Sequence, residues 1–412
     1  MTGFAFRIDA TEGAARTGVF STPHGDIETP AFMPVGTHAS VRGLAMPELH
    51  AAGARMILSN AYHLYLRPGD GHVRALGGLH TFARWHGPML TDSGGYQVFS
   101  LARYRTVTEA GVEFRSKLDG ARHQYTPEGV MRIERNLGAD VIMQLDELIA
   151  GGSDHATTRA AMERSLRWLE RCRVEFDRIA REGRAPLPAH VVPDGAPPLA
   201  SHDVDADVLA PPQALFPIVQ GGTFDDLRRA SVEGILQTGA WEGVAVGGLS
   251  VGEAKAAMYA TFDCCAPLLP WDRPRYLMGV GFPDDLLEAV ARGMDLFDCV
   301  APTRMGRHGT VFTCDGTVQV QKSSFRLDRR PLTDDCPCPA CTHYDRAYLR
   351  HLMMTEEPLG PRLLALHNLT FLLELMREAR ARLAVGTFAG WQRDWLLRYR
   401  ARRQPVVTTA PA

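Results

Sequence analysis

The sequence lacks several features that would each indicate a different class of protein. No uninterrupted apolar run is long enough to cross a bilayer, which argues against a membrane-spanning protein. The first residues, MTGFAFRIDA, lack the charged and apolar segments of a secretory signal, so we expect a cytoplasmic protein. A net charge of −2 excludes a wholly basic coat for nucleic acid. No G-x-G-x-x-G fingerprint opens the first strand–helix unit, which counts against a dinucleotide-binding sheet.

The composition is that of a soluble globular enzyme with a large core, because 45% of the 412 residues are hydrophobic and 22% are charged. Positive charge is concentrated locally. Residues 299–350 hold eight Lys and Arg against five Asp and Glu, and residues 376–403 hold eight Arg against two acidic residues. A local basic surface of this kind is sufficient to attract phosphates.

The apolar pattern predicts an α/β fold with a (β/α)8 TIM barrel. Residues 1–29 alternate short apolar pieces with turns, which indicates an N-terminal cap of antiparallel hairpins. Eight apolar strands then alternate with amphipathic helices over residues 30–314. A doubly wound open sheet fits the same alternation and stays open as an alternative. We expect residues 183–213, rich in Pro, Ala and Asp, to form a mobile insertion, and residues 315–412 to form a C-terminal helical subdomain.

Polar and small residues follow the strands, and the ends of barrel strands are where catalytic groups lie. Three acids and an amide would therefore converge on one mouth, together with glycines that allow a flat ligand to approach the backbone. These strand-end residues are Asp92, Asp146, Gln220, Gly248 and Asp298.

Asp298 is the strongest candidate for a nucleophile, because a buried strand seldom contains Asp unless a partner or a reaction requires it. It lies in the apolar run LFDCV. A carboxylate nucleophile suits glycosyl transfer, in which a second acid handles the proton. The alternative is an ion pair with Arg304 or Arg307, which in turn are either ordinary surface residues or contacts for a polynucleotide.

The other two acids have structural alternatives as well. Asp92 in TDSGGYQ would be an acid/base or a base-reading group with Tyr96 stacking on the ligand, or simply the cap of the next helix. Asp146 and Glu147 would recognise a ligand, or would be an N-cap and an exposed acid.

The hexapeptide CPCPAC predicts a metal centre. Cys336, Cys338 and Cys341 have ligand spacing, and His367 lies 26 residues further on in a helical pattern. Three thiolates and one imidazole complete a closed tetrahedral site, so we expect one structural zinc ion. His343 is the competing fourth ligand, although it lies close to the cysteines in the chain.

Taken in order, TDSGGYQVFSL, VQGG, GGLSVGE, YLMGVG, LFDCVAPTR and CPCPAC followed by His367 resemble bacterial-type tRNA-guanine transglycosylase. The resemblance covers nearly the whole chain and implies a zinc-bearing TIM barrel that is a homodimer. It also implies a pentosyltransferase that exchanges the wobble guanine of GUN anticodons in tRNAs for His, Asn, Asp and Tyr. The incoming base would be a 7-deazaguanine: the 7-aminomethyl precursor preQ1 in bacterial members and queuine in eukaryotic ones.

The resemblance also implies roles for particular residues. Asp298 would attack C1′ of the ribose to form a covalent intermediate, and Asp92 would accept the proton of the incoming base. The base would be bound by Asp92, Ser93, Gly94, Gly95, Tyr96, Asp146, Gln220, Gly248 and Leu249. The tRNA anticodon loop would contact Gly279, Val280, Gly281, Phe282, Pro283, Asp284, Asp285, Thr303, Arg304, Met305, Gly306 and Arg307. Zinc would bind Cys336, Cys338, Cys341 and His367.

Two residues depart from the bacterial pattern. Leu148 stands where bacterial members usually have Cys, near the pocket for the 7-substituent, so queuine in place of preQ1 remains an alternative. Phe282 stands where Lys is common, which removes one possible phosphate contact. Two rival functions also remain: a non-catalytic partner subunit that binds tRNA, and a glycosidase acting on free sugars or nucleosides. Intact Asp92 and Asp298 count against the first, and the cysteine cluster and paired arginines count against the second.

Overall fold

The computed structural model describes residues 3–101, 105–182 and 212–401. Nearly all of the predicted insertion at residues 183–213 therefore lies outside the described residues. Within the described ranges, no helix combines the length and the apolar character needed to cross a bilayer.

The strands, in chain order, are β1 (Ala5–Glu12), β2 (Ala15–Thr22), β3 (Gly25–Thr29), β4 (Ala31–Pro34), β5 (Ile57–Asn60), β6 (Met89–Asp92), β7 (Arg105–Thr108), β8 (Gly111–Arg115), β9 (Arg122–Tyr125), β10 (Val141–Met143), β11 (Ala214–Phe216), β12 (Ile218–Val219), β13 (Val244–Val246), β14 (Arg275–Leu277), β15 (Leu296–Cys299), β16 (Thr310–Thr313) and β17 (Gly316–Gln319).

The helices are α1 (Met46–Ala51), α2 (Ala61–Leu66), α3 (Asp70–Ala75), α4 (Gly78–Ala83), α5 (Gly95–Leu101), α6 (Pro127–Leu137), α7 (His155–Glu182), α8 (Asp225–Thr238), α9 (Lys255–Cys265), α10 (Pro283–Ala291), α11 (Ala301–Arg307), α12 (Pro339–His343), α13 (Arg346–Met354), α14 (Leu359–Ala384) and α15 (Phe388–Ala401), with a short 3-10 helix at Ser323–Phe325.

The parallel strands follow one another in chain order around a barrel. One sheet has the order β11-β10-β6-β5, and the other has the order β12-β13-β14-β15-β4. Only Pro217 separates β11 from β12, so these are two halves of one strand. On the opposite side, Val35 and Leu58 form an isolated parallel bridge, and Gly36 N donates to Leu58 O at 2.6 Å. Because the last barrel strand, β15, pairs with the first, β4, the TIM-type prediction is confirmed over the doubly wound alternative.

Side chains along the barrel strands alternate between two cores, as the pleat requires. One core fills the barrel interior, and the other packs the outer face of the strands against the helices. The interior core includes Met33, Leu58, Leu90, Val141, Met143, Phe216, Ile218, Ala245, Tyr276 and Leu296. The outer core includes Phe32, Ile57, Met89, Ile142, Leu215, Val219, Val244, Val246, Leu277 and Phe297.

The first three strands form the antiparallel sheet expected for residues 1–29. Phe20 and Ile27 from this sheet are fully buried and belong to the interior core of the barrel, which they cover at its amino-terminal end. At the same end, Arg16 of β2 donates two bonds to the carboxylate of Asp295, and both side chains are fully buried. The cap is thus held by apolar packing and by a buried ion pair.

The structure also contains two antiparallel pieces that the sequence pattern did not predict. β7, β8 and β9 form a three-stranded sheet between α5 and α6, and β16 and β17 form a hairpin after α11. Most side chains of β7 and β9 are exposed, so their pattern shows little apolar alternation. The hydroxyl of Tyr125 at the end of β9 donates to Ser93 O at 2.9 Å, which ties this sheet to the mouth of the barrel.

Candidate active site and metal centre

A cavity of about 300 Å³ opens at the carboxyl ends of the barrel strands. Asp92 ends β6, Asp146 follows β10, and Asp298 lies near the end of β15. All three line this cavity together with Gln220 and Gly248. The structure therefore brings the predicted strand-end residues together, as the barrel geometry demands.

Asp298 points into the barrel from the same face of β15 as the interior residue Leu296. One carboxylate oxygen, Oδ1, accepts the hydroxyl of Tyr276 at 2.7 Å and the backbone N–H of Gly279 at 2.8 Å. Neither Arg304 nor Arg307 forms an ion pair with it within the described part of the chain, so the ion-pair alternative is not found. Burial raises the pKa of the Asp298 carboxyl, while the Gly279 and Tyr276 bonds oppose that rise. Among the described residues, no hydrogen bond to Oδ2 is found, and the Asp298 side chain lines the cavity.

Asp92 lies opposite Asn60 in the register of β5 and β6. Asn60 Nδ2 donates to Asp92 Oδ1 at 2.5 Å, and Asn60 Oδ1 also caps α2 by accepting His63 N at 3.0 Å. Burial, and then the nearby Asp298 carboxylate, raise the pKa of Asp92 to about 8 despite the Asn60 bond. A group with this pKa can both give and take a proton near neutral pH.

Asp146 is buried at the side of the cavity, where Gln220 Nε2 donates to its Oδ2 at 2.6 Å. Burial raises its pKa to about 6, and the Gln220 bond opposes that rise. The start of α5 passes directly over it, because a Cβ on Gly95 would lie 2.4 Å from Asp146 Oδ1. The adjacent Glu147 is bonded instead to Arg164, so the two consecutive acids have different surroundings.

Gln220 and Gly248 end neighbouring strands and depend on a residue that the sequence did not single out. Arg228 of α8 is fully buried and donates to Val219 O at 2.7 Å, Gly222 O at 2.8 Å and Gly247 O at 2.9 Å. One guanidinium thus holds the carbonyls of two strand ends. Gly248 has a φ of +67°, and a Cβ there would lie 2.3 Å from Gln220 Oε1, so a side chain at this position would displace the amide.

The rim of the cavity carries the remaining predicted base-binding residues. Ser93, Gly94 and the buried Leu249 line it, and Tyr96 stands at its edge with 49% of its surface exposed. Gly94 has a φ of +82°, and a Cβ there would lie 2.4 Å from the Cβ of Tyr62. This close approach allows the chain to turn from β6 into α5.

The residues that depart from the bacterial pattern also lie at this cavity. Leu148 lines it together with Val251, so both residues offer apolar side chains to the cavity. Phe282 lines it as well, with Lys255 Nζ 5.8 Å from its ring centroid. The ammonium group of Lys255 thus lies next to Phe282, the position where the bacterial pattern commonly has Lys.

The segment predicted to contact RNA divides into exposed and buried parts. Gly279, Phe282 and Arg304 line the cavity. Asp284 and Asp285 are buried and bonded to Lys255 at 2.8 Å and 2.5 Å. Five further members of the predicted set are buried and Met305 is half-buried; the buried ones are Val280, Gly281, Pro283, Thr303 and Gly306. Contact with RNA by these residues stays a prediction.

Gly306 has a specific packing reason. A Cβ there would lie 2.6 Å from the Cα of Ala365, so α11 and α14 approach too closely for any side chain. The same approach brings α11, which carries two arginines, onto the helix that carries His367.

Three guanidinium groups gather beside the mouth. Arg42, which the sequence reading missed, is exposed, as is Arg304. Burial, followed by the charges of Arg42 and Arg304, lowers the pKa of Arg307. Arg307 Nη1 is buried and has no hydrogen-bond partner within the described residues. An unpaired donor among like charges is the arrangement expected at an anion-binding site.

Cys336, Cys338, Cys341 and His367 form one cluster, in which all the candidate ligand atoms lie within 4.8 Å of one another. His367 Nδ1 is 3.7, 3.4 and 3.3 Å from the three sulfurs in that order. Ligands of a tetrahedral site with metal–sulfur and metal–nitrogen bonds of about 2.3 and 2.0 Å lie about 3.5 Å apart, so the donor set fits a metal ion.

The second imidazole nitrogen, His367 Nε2, donates to Phe312 O at 2.9 Å, and this bond fixes the tautomer and leaves Nδ1 free as a ligand. Among the described residues, the cluster contains His367 and does not include His343, the competing fourth ligand.

A parallel barrel with three carboxylates around a cavity at its mouth, together with a Cys₃His cluster that fits a metal ion, is the architecture of a TIM-barrel enzyme. The family model described as Queuine tRNA-ribosyltransferase matches residues 9–401. This chain belongs to the queuine tRNA-ribosyltransferase family.

Three curated relatives, each named queuine tRNA-ribosyltransferase, are similar along nearly their whole length. The protein of Herpetosiphon aurantiacus is 47% identical over 97% of this chain and 93% of its own. That of Symbiobacterium thermophilum is 49% identical over 94% and 89%. That of Solidesulfovibrio magneticus is 48% identical over 94% and 96%.

Proposed function

We propose that this enzyme carries out tRNA-guanine transglycosylation in queuosine biosynthesis. It exchanges the wobble guanine of GUN anticodons, in tRNAs for His, Asn, Asp and Tyr, for a free 7-deazaguanine base. The base is preQ1. The observation that carries the proposal is the set of carboxylates around one cavity of about 300 Å³, which has the size of a flat bicyclic base and its ribose.

Asp298 is the nucleophile of this proposal. Its free oxygen forms a bond to C1′ of the ribose as the bond from C1′ to N9 of guanine breaks, which gives a covalent ester between enzyme and tRNA. Because Tyr276 and Gly279 supply neutral donors and no cation, the carboxylate is held in place without losing its negative charge to an ion pair. Attack by the second base on the same carbon releases Asp298 and retains the configuration.

Asp92 handles the protons. With a pKa of about 8 it carries a proton at neutral pH, and it gives this proton to the departing guanine. The resulting carboxylate then accepts the proton of the incoming base and returns to its starting state. The influence of Asp298 on its pKa supports this assignment, since it places the two acids near one another.

The base is read by the side of the cavity formed by the other strand ends. Asp146 and Gln220 offer acceptors and a donor to its Watson–Crick edge, and the backbone at Gly248 and Leu249 offers polar groups close to a flat ring. Tyr96 stacks on the ring from the rim. The exposed fraction of Tyr96 and the burial of Asp146 support an aromatic lid above a desolvated polar edge.

The anticodon loop lies against the arginines at the mouth. Arg42, Arg304 and Arg307 bind phosphates of the tRNA, and the unpaired Nη1 of Arg307 supports this. The affinity for tRNA therefore falls with increasing salt.

The metal of the Cys₃His cluster is one zinc ion, since three thiolates and an imidazole without an open position are typical of structural zinc. When bound, the ion cross-links the CPCPAC segment to α14. A homodimer and a cytoplasmic location also belong to the proposal. Metal analysis of the purified protein tests the zinc ion, and its mass in solution tests the homodimer.

The decisive experiment measures incorporation of labelled guanine into unfractionated tRNA, with preQ1 and queuine as competitors. We expect incorporation, and stronger competition by preQ1. Failure to incorporate guanine would reject the enzyme proposal and favour a non-catalytic tRNA-binding subunit. Preference for queuine would instead reject the assignment of the base. The matched variant Leu148→Cys restores the usual bacterial residue, so its competitor ranking isolates the contribution of Leu148.

A further inference from the structure

A second group of potential metal ligands lies at the opposite end of the barrel from the cavity. His24 lies in the turn between β2 and β3, His80 lies in α4, and Asp140 directly precedes β10. One ligand atom from each lies within 4.8 Å of the others. Asp140 is fully buried, whereas the side chains of His24 and His80 are 28% and 12% exposed. Three segments distant in the chain thus present two imidazoles and one carboxylate to one point.

Among the described residues, one nitrogen of the His80 ring lacks a hydrogen bond. Nδ1 lies 3.2 Å from Trp85 O, and a carbonyl oxygen only accepts, so Nδ1 carries the hydrogen. Nε2 lies 3.3 Å from Asp140 Oδ2, yet it is buried and has no hydrogen-bond partner within the described part of the chain. In the neutral ring, its lone pair faces an oxygen that also carries lone pairs. A cation between them removes this repulsion.

The surrounding bonds are those that orient metal ligands in proteins. A ligating imidazole usually donates its other N–H to a backbone carbonyl, as His80 does to Trp85, and a ligating carboxylate is itself hydrogen-bonded. Here Asp140 Oδ2 accepts Met89 N at 2.9 Å. Asp140 Oδ1 lies 2.6 Å from His24 Nδ1, which is a contact between two of the ligating residues themselves.

The two imidazole rings are also stacked, with centroids 3.6 Å apart and planes 15° from parallel. Two protonated rings at this distance would repel each other. One shared divalent ion would pair with the Nε2 of His80 that lacks a hydrogen bond, without charging either ring.

We propose that His24, His80 and Asp140 form a second metal site, separate from the Cys₃His cluster. Two nitrogens and one oxygen favour a borderline divalent transition ion such as Co²⁺ or Zn²⁺ over Mg²⁺ or Ca²⁺. The partial exposure of His24 gives the ion a path from solvent and leaves its remaining positions to water.

The position of the site indicates what the ion does. His24 belongs to the N-terminal cap and Asp140 to the amino end of a barrel strand, 116 residues apart in the chain. The ion therefore ties the cap to the barrel and stabilises the folded state by binding it in preference to the unfolded chain. Asp146, which lines the cavity, follows the same strand at its other end. We therefore expect that the second metal ion takes no direct part in base exchange.

The test is a titration of the purified full-length protein, with its Cys₃His ion retained, using Co²⁺ as the probe. We expect one further equivalent of Co²⁺ to bind with weak visible bands and without the intense thiolate charge-transfer band that cysteine ligands produce. The melting temperature should rise with Co²⁺. If no further equivalent binds, or if its spectrum shows thiolate ligation, the proposal is overturned.

Two variants and a control connect that equivalent to the site. His80→Phe keeps a ring in the stack but removes the nitrogen, and His24→Asn changes a partly exposed residue of the turn between β2 and β3. Each should weaken the second equivalent by at least about tenfold and abolish the Co²⁺-dependent rise in melting temperature. His86→Ala, at an exposed histidine of the same region, should change neither. Unchanged Co²⁺ binding in both His24→Asn and a folded His80→Phe would refute the assignment.

Discussion

Asp295 and Asp298 lie three residues apart at the two ends of β15, and their carboxylates differ in the charge of the groups bonded to them. Asp295, at the amino end, accepts bonds from the guanidinium of Arg16 and from Arg275 N at 2.7 Å. Within the part of the chain that the structure describes, Asp298, at the carboxyl end, accepts bonds only from the neutral Tyr276 and Gly279 groups. The barrel thus pairs a buried acid with a cation where it needs stability, and leaves an acid without a cation where we place the reaction.

Removing the charge of Asp298 gives the largest expected effect. Asp298→Asn keeps the shape but removes the nucleophile, so we expect the rate of guanine exchange to fall by at least about 10³-fold. The measurement is labelled-guanine exchange, together with denaturing gels that detect a covalent enzyme–tRNA adduct. Because no ion pair is lost, the melting temperature should hardly fall. An adduct at the wild-type level would disprove the nucleophile assignment.

The matched change at the other end of the strand is Asp295→Asn. It leaves the fully buried Arg16 without its counter-charge, and we expect a loss of about 3–5 kcal/mol in the free energy of unfolding. Urea denaturation measures this, and exchange activity per folded molecule should be retained. If Asp298→Asn destabilised the protein as much as Asp295→Asn, the two ends would not differ as we describe.

The pKa of Asp92 gives a third test. Its value of about 8 in the folded protein is above its usual 3.8, so the folded state keeps a proton that the unfolded chain releases between these pH values. The stability from this group is present below about pH 4 and is lost as the pH rises toward 8. Asp92→Asn lacks this dependence, so its stability relative to wild type should increase between pH 5 and pH 8. Parallel pH profiles from urea denaturation would contradict the raised pKa.

Asn60 should give the smallest effect. Asn60→Ser keeps a side-chain acceptor for the cap of α2, so the free energy of unfolding should change only by the lost bond to Asp92, about 1 kcal/mol. It removes the amide that donates to Asp92, a bond that lowers the pKa of that carboxyl. We therefore expect the pH profile of exchange to move upward, with a moderate loss of rate. An unmoved profile would show that Asn60 does not set the protonation of Asp92.

The sequence contained enough information for the barrel and for most of the cavity. Alternating apolar segments predicted the parallel strands, and the acids at their ends predicted where the side chains would meet. The cysteine spacing likewise predicted the cluster completed by His367. These inferences succeed because a strand's direction and period determine where its last residue lies.

The residues that the sequence reading missed act across the structure. Asn60 reaches Asp92 through the register of two strands, Tyr276 reaches Asp298 in the same way, and Arg228 bonds to carbonyls of neighbouring segments. No local pattern encodes such pairings. The sheet of β7 to β9 was missed for a different reason, since its outer strands, β7 and β9, are mostly exposed and show little apolar alternation.

The two junctions of the barrel have unequal strength. Pro217 joins the sheets through the covalent chain, whereas the opposite junction, among the described residues, is one bridge between Val35 and Leu58. Asp92 belongs to one sheet and Asp298 to the other. We therefore expect the backbone amides of β4 and β5 to exchange their hydrogens with solvent faster than those of the other barrel strands. Each opening of the barrel between β4 and β5 changes the distance between the two acids. The proposed catalytic geometry therefore depends on local opening between β4 and β5, the weaker of the two junctions.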